Sequence, residues 1–200
     1  MLLAIDVGNT NIVLGLYEGS KHLGTRRIRT MEDATADEFW LILRDLTQMT
    51  GIEPKNLEDV IIASVVPPLR TAFEELCDKF LNIDPIFVGP GIKTGMPIRY
   101  DNPKEVGADR IVNAVAAFEK YKCELIAVDF GTATTFDYIN RNGEYEGGSI
   151  APGVKISAEA LFHRASKLFR VELIAPNRVI AKDTASDRKS TRLNSSHRIR

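Results

Sequence analysis

Two cysteines in 200 residues cannot form the cross-linked framework of a small secreted protein. Cys77 and Cys123 lie far apart, in contexts that read as a helix and the approach to a strand, so both are expected to be reduced and structural. The three histidines, His22, His163 and His197, are scattered and give no zinc spacing. No apolar run approaches the roughly 20 residues that span a bilayer. Met1 leads straight into strand-like sequence, with no basic leader or cleavage-site pattern, so a cytoplasmic protein without membrane association is expected.

Charge of one dominant sign is also missing, with 26 Lys and Arg against 27 Asp and Glu for a net charge of -1. That balance conceals an asymmetry. From Asp187 onward, Arg188, Lys189, Arg192, Arg198 and Arg200 face a single acid, which leaves positions 1–186 with 21 basic and 26 acidic residues and a net charge of -5. A mildly acidic body argues against a nucleic-acid surface. Residues 187–197 have no apolar periodicity and resemble translated sequencing-adapter read-through, so residues 187–200 are set apart as a non-native tail. The alternative is a disordered basic tail that binds an acidic partner. The 44% hydrophobic and 26% charged content is that of a globular chain able to bury one sizeable core or two small domains.

The chain does contain a repeat. Leu2-Leu3-Ala4-Ile5-Asp6-Val7-Gly8 returns as Leu125-Ile126-Ala127-Val128-Asp129-Phe130-Gly131, offset by 123 with no gap. Each copy is an apolar run of the kind that forms a buried central strand, ending in Asp-x-Gly and a cluster of short polar side chains. These are Asn9-Thr10-Asn11 in the first copy and Thr132-Ala133-Thr134-Thr135 in the second. The glycine lets backbone N–H groups approach an anion, while an aspartate at the strand end suits a cation or its water shell. One Asp-x-Gly turn is equally well explained as ordinary turn chemistry. Two at matched positions, facing each other, can hold a polyphosphate. Residues 12–17 and 136–139 read as the return strands of the two hairpins.

Residues 21–29 have strand character. Thr35 with Glu38 has capping-box spacing, and Phe39, Leu43 and Leu46, with Ile42 and Met49 beside them, form one helical face that Gly51 ends. Trp40 lies off that stripe and reads as packing. Residues 60–66 form a continuous apolar run stopped by Pro67-Pro68, as in a strand buried on both faces. A helix over residues 69–81 and a strand over residues 85–88 follow. Asn102-Pro103 reads as an N-cap with proline at the first helical position, placing Glu105, Gly107, Asp109 and Arg110 in the opening turns of one helix. After the second hairpin come a strand from Tyr145 and a helix over residues 154–165. The order hairpin, strand, helix thus begins again, and an α/β layer architecture with mixed sheets is expected.

Two halves with Asp-x-Gly hairpins resemble the actin, Hsp70 and sugar-kinase superfamily, in which ATP lies between duplicated domains. The closer resemblance is to type III pantothenate kinases. It is carried in order by Asp6-Val7-Gly8-Asn9-Thr10-Asn11, Ser64-Val65-Val66-Pro67-Pro68, Val88-Gly89-Pro90-Gly91-Ile92-Lys93-Thr94-Gly95, Glu105 to Ala114, Asp129-Phe130-Gly131-Thr132-Ala133-Thr134-Thr135 and Ile156-Ser157-Ala158-Glu159-Ala160-Leu161. It covers about residues 2–186. The fold it implies is a pair of actin-like (ribonuclease H-like) ATPase halves, residues 1–103 and 104–186, with the second incomplete.

The activity it implies is transfer of the γ-phosphoryl group of ATP to the primary hydroxyl of pantothenate, the first step of coenzyme A synthesis. The resemblance makes Asp109 the catalytic base and assigns Tyr100, Gly107, Ala108, Asp109, Arg110 and Thr184 to pantothenate. Asp6, Val7, Gly8, Asn9, Thr10, Asn11, Ile12 and Val13, with Thr132, fall to ATP. Asp129 falls to a monovalent cation, K⁺ or NH₄⁺, and Asp6 to Mg²⁺. Taken alone, Asp109 reads as a helix-terminus carboxylate and Tyr100 as a packing aromatic, and the alternative for Arg110 is an ion pair bracing a domain junction. The complete protein is expected to be a homodimer. The 200-residue chain is expected to be unstable or inactive, since half a sheet would keep an open edge. The competing reading is a non-catalytic regulator of the Bvg accessory factor type, disfavoured by the full set of Asp6, Asp109, Arg110 and Asp129. A sugar or acetate kinase has no support from residues 107–110.

Overall fold

In the computed structural model, which describes residues 1–89, 91–174, 180 and 182–187, the first Asp-x-Gly segment joins two antiparallel strands, β1 (Leu2–Val7) and β2 (Asn11–Glu18). The turn closes through Gly8 N–H donating to Asn11 O at 3.0 Å. β3 (Lys21–Arg29) continues the meander, and Thr30 fastens its end to the turn by hydroxyl donation to Gly8 O at 2.6 Å. β4 (Asp59–Ser64) lies parallel to β1 on the other side, with β5 (Ile86–Val88) beyond it, giving a mixed sheet of order β3-β2-β1-β4-β5. Parallel neighbours require crossovers. These carry the helices α1 (Ala36–Thr50) and α2 (Arg70–Leu76).

Alternation explains which face is buried. Leu3, Ile5 and Val7 of β1 and Ile12, Leu14 and Leu16 of β2 are all at most 3% exposed. They meet Phe39, Leu43 and Leu46 of α1 and Phe73 and Leu76 of α2 in one core, with the Phe39 and Phe73 rings stacked at 4.4 Å. The capping box is formed at both ends: Thr35 Oγ1 accepts from Glu38 N–H, and Glu38 Oε2 accepts from Thr35 N–H at 2.8 Å. Trp40 stacks on Phe80 at 4.8 Å, a packing role. Met49 stays exposed.

Three segment boundaries differ from the sequence reading. β4 ends at Ser64, where the side chain turns to accept from Val66 N–H. α2 is flanked by a 3₁₀ turn at Pro67–Leu69 and passes into a π-helical turn at Cys77–Leu81. The helix expected from Asn102 is interrupted. Asn102 does cap a proline-led turn, accepting from Lys104 N–H, but that turn is only Pro103–Glu105. Val106 is extended and 3% exposed, because its side chain fills the second core. α3 (Ala108–Tyr121) then starts from Gly107.

The second copy forms β6 (Leu125–Phe130), β7 (Ala133–Ile139) and β8 (Tyr145–Pro152), in sheet order β6-β7-β8, followed by α4 (Val154–Arg164). Connections this short allow only antiparallel pairing. The meander β1-β2-β3 then α1 is therefore repeated as β6-β7-β8 then α4. β6 is not the buried strand expected. Leu125 and Ala127 pack on the second core, whereas Ile126 is 62% and Phe130 59% exposed. β6 stands at the end of its sheet, with β7 as its one neighbour among the described residues. The chain forms two compact units, residues 1–127 with 137–147, and residues 128–136 with the described residues from 148 onward.

Candidate active site

In the first unit the two central strands set the stage. Asp6 is paired in register with Val13 on β2 and Ala63 on β4, so the turn over residues 8–11 emerges at the carboxyl ends of β1 and β4. Val7 and Ile12 are buried pegs beneath it, while Asp6, Asn9 and Thr10 are exposed. Val7 O accepts from Val65 N–H at 3.0 Å. The Val65 side chain in turn lies 3.6 Å from the position a Cβ on Gly107 would take. The start of α3 is thereby seated next to the first Asp-x-Gly turn.

At that start, Gly107 leaves room that any side chain would fill. A Cβ there would stand 2.5 Å from Asp109 Oδ1. Asp109 is half-buried in the first turn of α3, and its Oδ1 accepts from Arg110 N–H at 2.8 Å. Carboxylate charge is favoured at this end of the helix dipole. The helix-terminus role is thus realised in the geometry.

Arg110 turns the other way, into the second core, and is 6% exposed. Its Nε donates to Asp137 Oδ1 at 2.8 Å, and its Nη2 lies 2.6 Å from the same oxygen. Tyr145, fully buried, donates its hydroxyl to that oxygen at 2.7 Å. Burial pulls the guanidinium pKa down, but the hydrogen bond and charge of Asp137 hold it above the ordinary value. Burial, followed by the bond to Asp137, pushes the Tyr145 hydroxyl far above the usual phenol range, so it remains a donor. The segment leading to Tyr100 is tied to Tyr145 by its backbone: Arg99 N–H donates to Tyr145 O at 2.8 Å, and Tyr145 N–H to Pro97 O at 2.9 Å. The Tyr100 and Tyr145 rings are 6.3 Å apart.

In the second unit, Gly131 N–H donates to Ala133 O at 2.9 Å, closing the second Asp-x-Gly turn. Gly153, which opens α4, donates to Thr132 O at 3.1 Å. Asp129 and Thr132 are exposed there. Thr184 lies exposed in a helical turn that Asp183 caps through Ser186 N–H. The described residues contain no cluster of three or more His, Cys, Asp or Glu side chains. Nor do they contain a helix long and apolar enough to cross a membrane. Residues 188–200 of the expected foreign tail and Pro90 of the third motif lie outside the described residues.

Gly107, Asp109, Arg110 and Tyr100 lie close in sequence, whereas Asp137 and Tyr145 reach Arg110 only in the fold. A signal existed. Thr135, Asp137 and Ile139 alternate along β7, so Asp137 is an acid on an otherwise buried face and requires a cationic partner.

A family model for type III pantothenate kinase matches residues 2–191. A type III pantothenate kinase of Syntrophus aciditrophicus is 59% identical over 186 residues, 93% of this chain and 73% of its own length. That of Geobacter sulfurreducens is 58% identical over the same shares. Among solved structures, a Campylobacter jejuni chain named for the Baf family of transcriptional activators aligns with TM-score 0.53 at 19% identity, covering 94% of this chain and 72% of that one. A Sinorhizobium meliloti chain named a 2-dehydro-3-deoxygalactonokinase aligns with TM-score 0.52 at 14% identity, covering 83% and 58%. These two likenesses speak to fold alone, and the fold is of the actin-like, sugar-kinase type. By the family model and by identity over nearly the whole sequence, the chain belongs to the type III pantothenate kinases.

Proposed function

We infer that the protein transfers the γ-phosphoryl group of ATP to the primary hydroxyl of pantothenate, yielding 4'-phosphopantothenate and ADP at the entry to coenzyme A synthesis. The observation that carries this reading is 59% identity to a type III pantothenate kinase over 93% of the chain. The seating of Asp109 beside the first Asp-x-Gly turn agrees with it.

In the mechanism we propose, Asp109 accepts the hydroxyl proton as the oxygen forms its bond to the γ-phosphorus and the bond to the ADP oxygen breaks. Phosphoryl transfer asks the protein chiefly for alignment and charge stabilisation. Gly107 and Ala108 let pantothenate approach the backbone at the start of α3. Arg110 and Tyr100 serve its carboxylate and polar groups, with Thr184 as a further contact. Residues 6–13 take the ATP phosphates, and Thr132 contributes another ATP contact.

The donor set fits hard cations. Asp6 with Asn9, Thr10 and Asn11 offers only oxygen and amide groups, and with no carboxylate cluster among the described residues the remaining ligands would be phosphate or water. Asp6 would hold Mg²⁺, and Asp129 would hold K⁺ or NH₄⁺. Mg²⁺ when bound neutralises charge developing on the phosphates. A homodimer, a cytoplasmic location and function without nucleic acid or membrane complete the proposal. We also propose two halves meeting near residue 103, a non-native segment from residue 187 and little activity for the 200-residue chain by itself. The test is a coupled ADP-release assay on residues 1–186 joined to the C-terminal quarter of the Syntrophus aciditrophicus relative. ADP release that requires pantothenate and rises with K⁺ is expected. Release indifferent to pantothenate would overturn the reading.

A further inference from the structure

Asp137 Oδ1 accepts hydrogen bonds from Arg110 Nε at 2.8 Å and from the Tyr145 hydroxyl at 2.7 Å, and Arg110 Nη2 lies 2.6 Å from it as an ion pair. The three side chains are 7% exposed or less. Nη2 sits in ion-pair contact with the oxygen but makes no aligned hydrogen bond there. Meanwhile the backbone N–H and C=O of Tyr145 hold the segment over residues 97–99, which delivers Tyr100. One residue of β8 therefore governs two side chains assigned to pantothenate.

We propose that Asp137 and Tyr145 are positioning residues of the pantothenate subsite, holding the Arg110 guanidinium and the segment that carries Tyr100 in the arrangement that meets the substrate. This rests on the functional reading given above. A carboxylate is the acceptor that matches a guanidinium edge. A buried Arg–Asp pair alone is weak evidence of stabilisation.

The test uses the family-length protein described above and compares wild type with Tyr145→Phe, which keeps the ring and the backbone bonds, and with Asp137→Asn. Steady-state kinetics should show KM for pantothenate raised about tenfold or more in Tyr145→Phe, the scale of one hydrogen bond to a charged group, with KM for ATP unchanged. The Arg110 Nε–H NMR signal, assigned by its loss in Arg110→Lys, should shift or broaden in Tyr145→Phe without substrate. Asp137→Asn should remove that protected signal or prevent folding. If the Nε–H signal and KM for pantothenate in Tyr145→Phe both match wild type while only the melting temperature falls, the pair is a brace and the proposal is overturned. A changed signal with an unchanged KM also refutes it. If the signal responds but the wild-type protein does not phosphorylate pantothenate, the functional reading fails, and the positioning role falls with it.

Discussion

Replacing Gly153 by alanine should damage the second Asp-x-Gly turn, although the local backbone has no objection to a side chain. Gly153 has φ -61° and ψ 160°, ordinary for any residue. On chain entropy alone, alanine there would stabilise by about 0.4–1 kcal/mol. The contact decides otherwise. A Cβ would stand 2.5 Å from Gly131 O and closer still to Thr132 O, where ordinary contact begins at 3.4 Å. Both neighbours are backbone, so the turn itself must move. Overpacking of this kind costs about 1–3 kcal/mol, and weakening the 3.1 Å bond from Gly153 N–H to Thr132 O adds about 0.5–1.5 kcal/mol. After the entropic gain, the net loss should be about 0.5–4 kcal/mol. Denaturant melts of wild type, Gly153→Ala and Gly89→Ala measure it, since a Cβ at Gly89 would meet nothing within 4 Å. In the family-length protein, KM for ATP should rise in Gly153→Ala and stay at the wild-type value in Gly89→Ala. A Gly153→Ala melt at or above wild type, with unchanged KM for ATP, would refute the packing reasoning.

Cys123 is exposed and should react with a thiol reagent in the native protein. Buried Cys77, its pKa raised to about 11 by burial and then by the Asp84 charge, should react only on unfolding, as mass spectrometry of labelled peptides will show. The Thr35 hydrogen bonds lower the pKa of Glu38, so its contribution to stability is present above the ordinary carboxylate pKa of 4.5 and is lost as pH falls through the lower folded value. Melts from pH 7 to pH 3 should therefore show a smaller acid-induced loss in Glu38→Gln than in wild type.

Local chemistry made much of the fold legible. The Asp-x-Gly repeat located both hairpins, because a strand, a glycine and a returning strand need only neighbouring residues. The Thr35 capping box and the Phe39, Leu43 and Leu46 stripe likewise depend on spacing within one helix. Misreadings arose where distant residues decide. Val106 breaks the helix expected from Asn102 because a remote core takes its side chain. The Ile126 face of β6 is open because of its place in the sheet, a matter of topology rather than of its own apolar run. Asp109 and Arg110 could be read together because they are adjacent in one motif. Asp137 and Tyr145 could not, since only folding brings residues 27 and 35 positions further along to Arg110.

The central claim is tested most directly by the rate of 4'-phosphopantothenate formation from ATP and pantothenate in the family-length protein and in its Asp109→Asn variant, with matched circular dichroism spectra. Loss of a general base predicts a kcat lower by about 10²–10⁴ with folding intact. Wild-type turnover in Asp109→Asn would remove that residue from the chemistry.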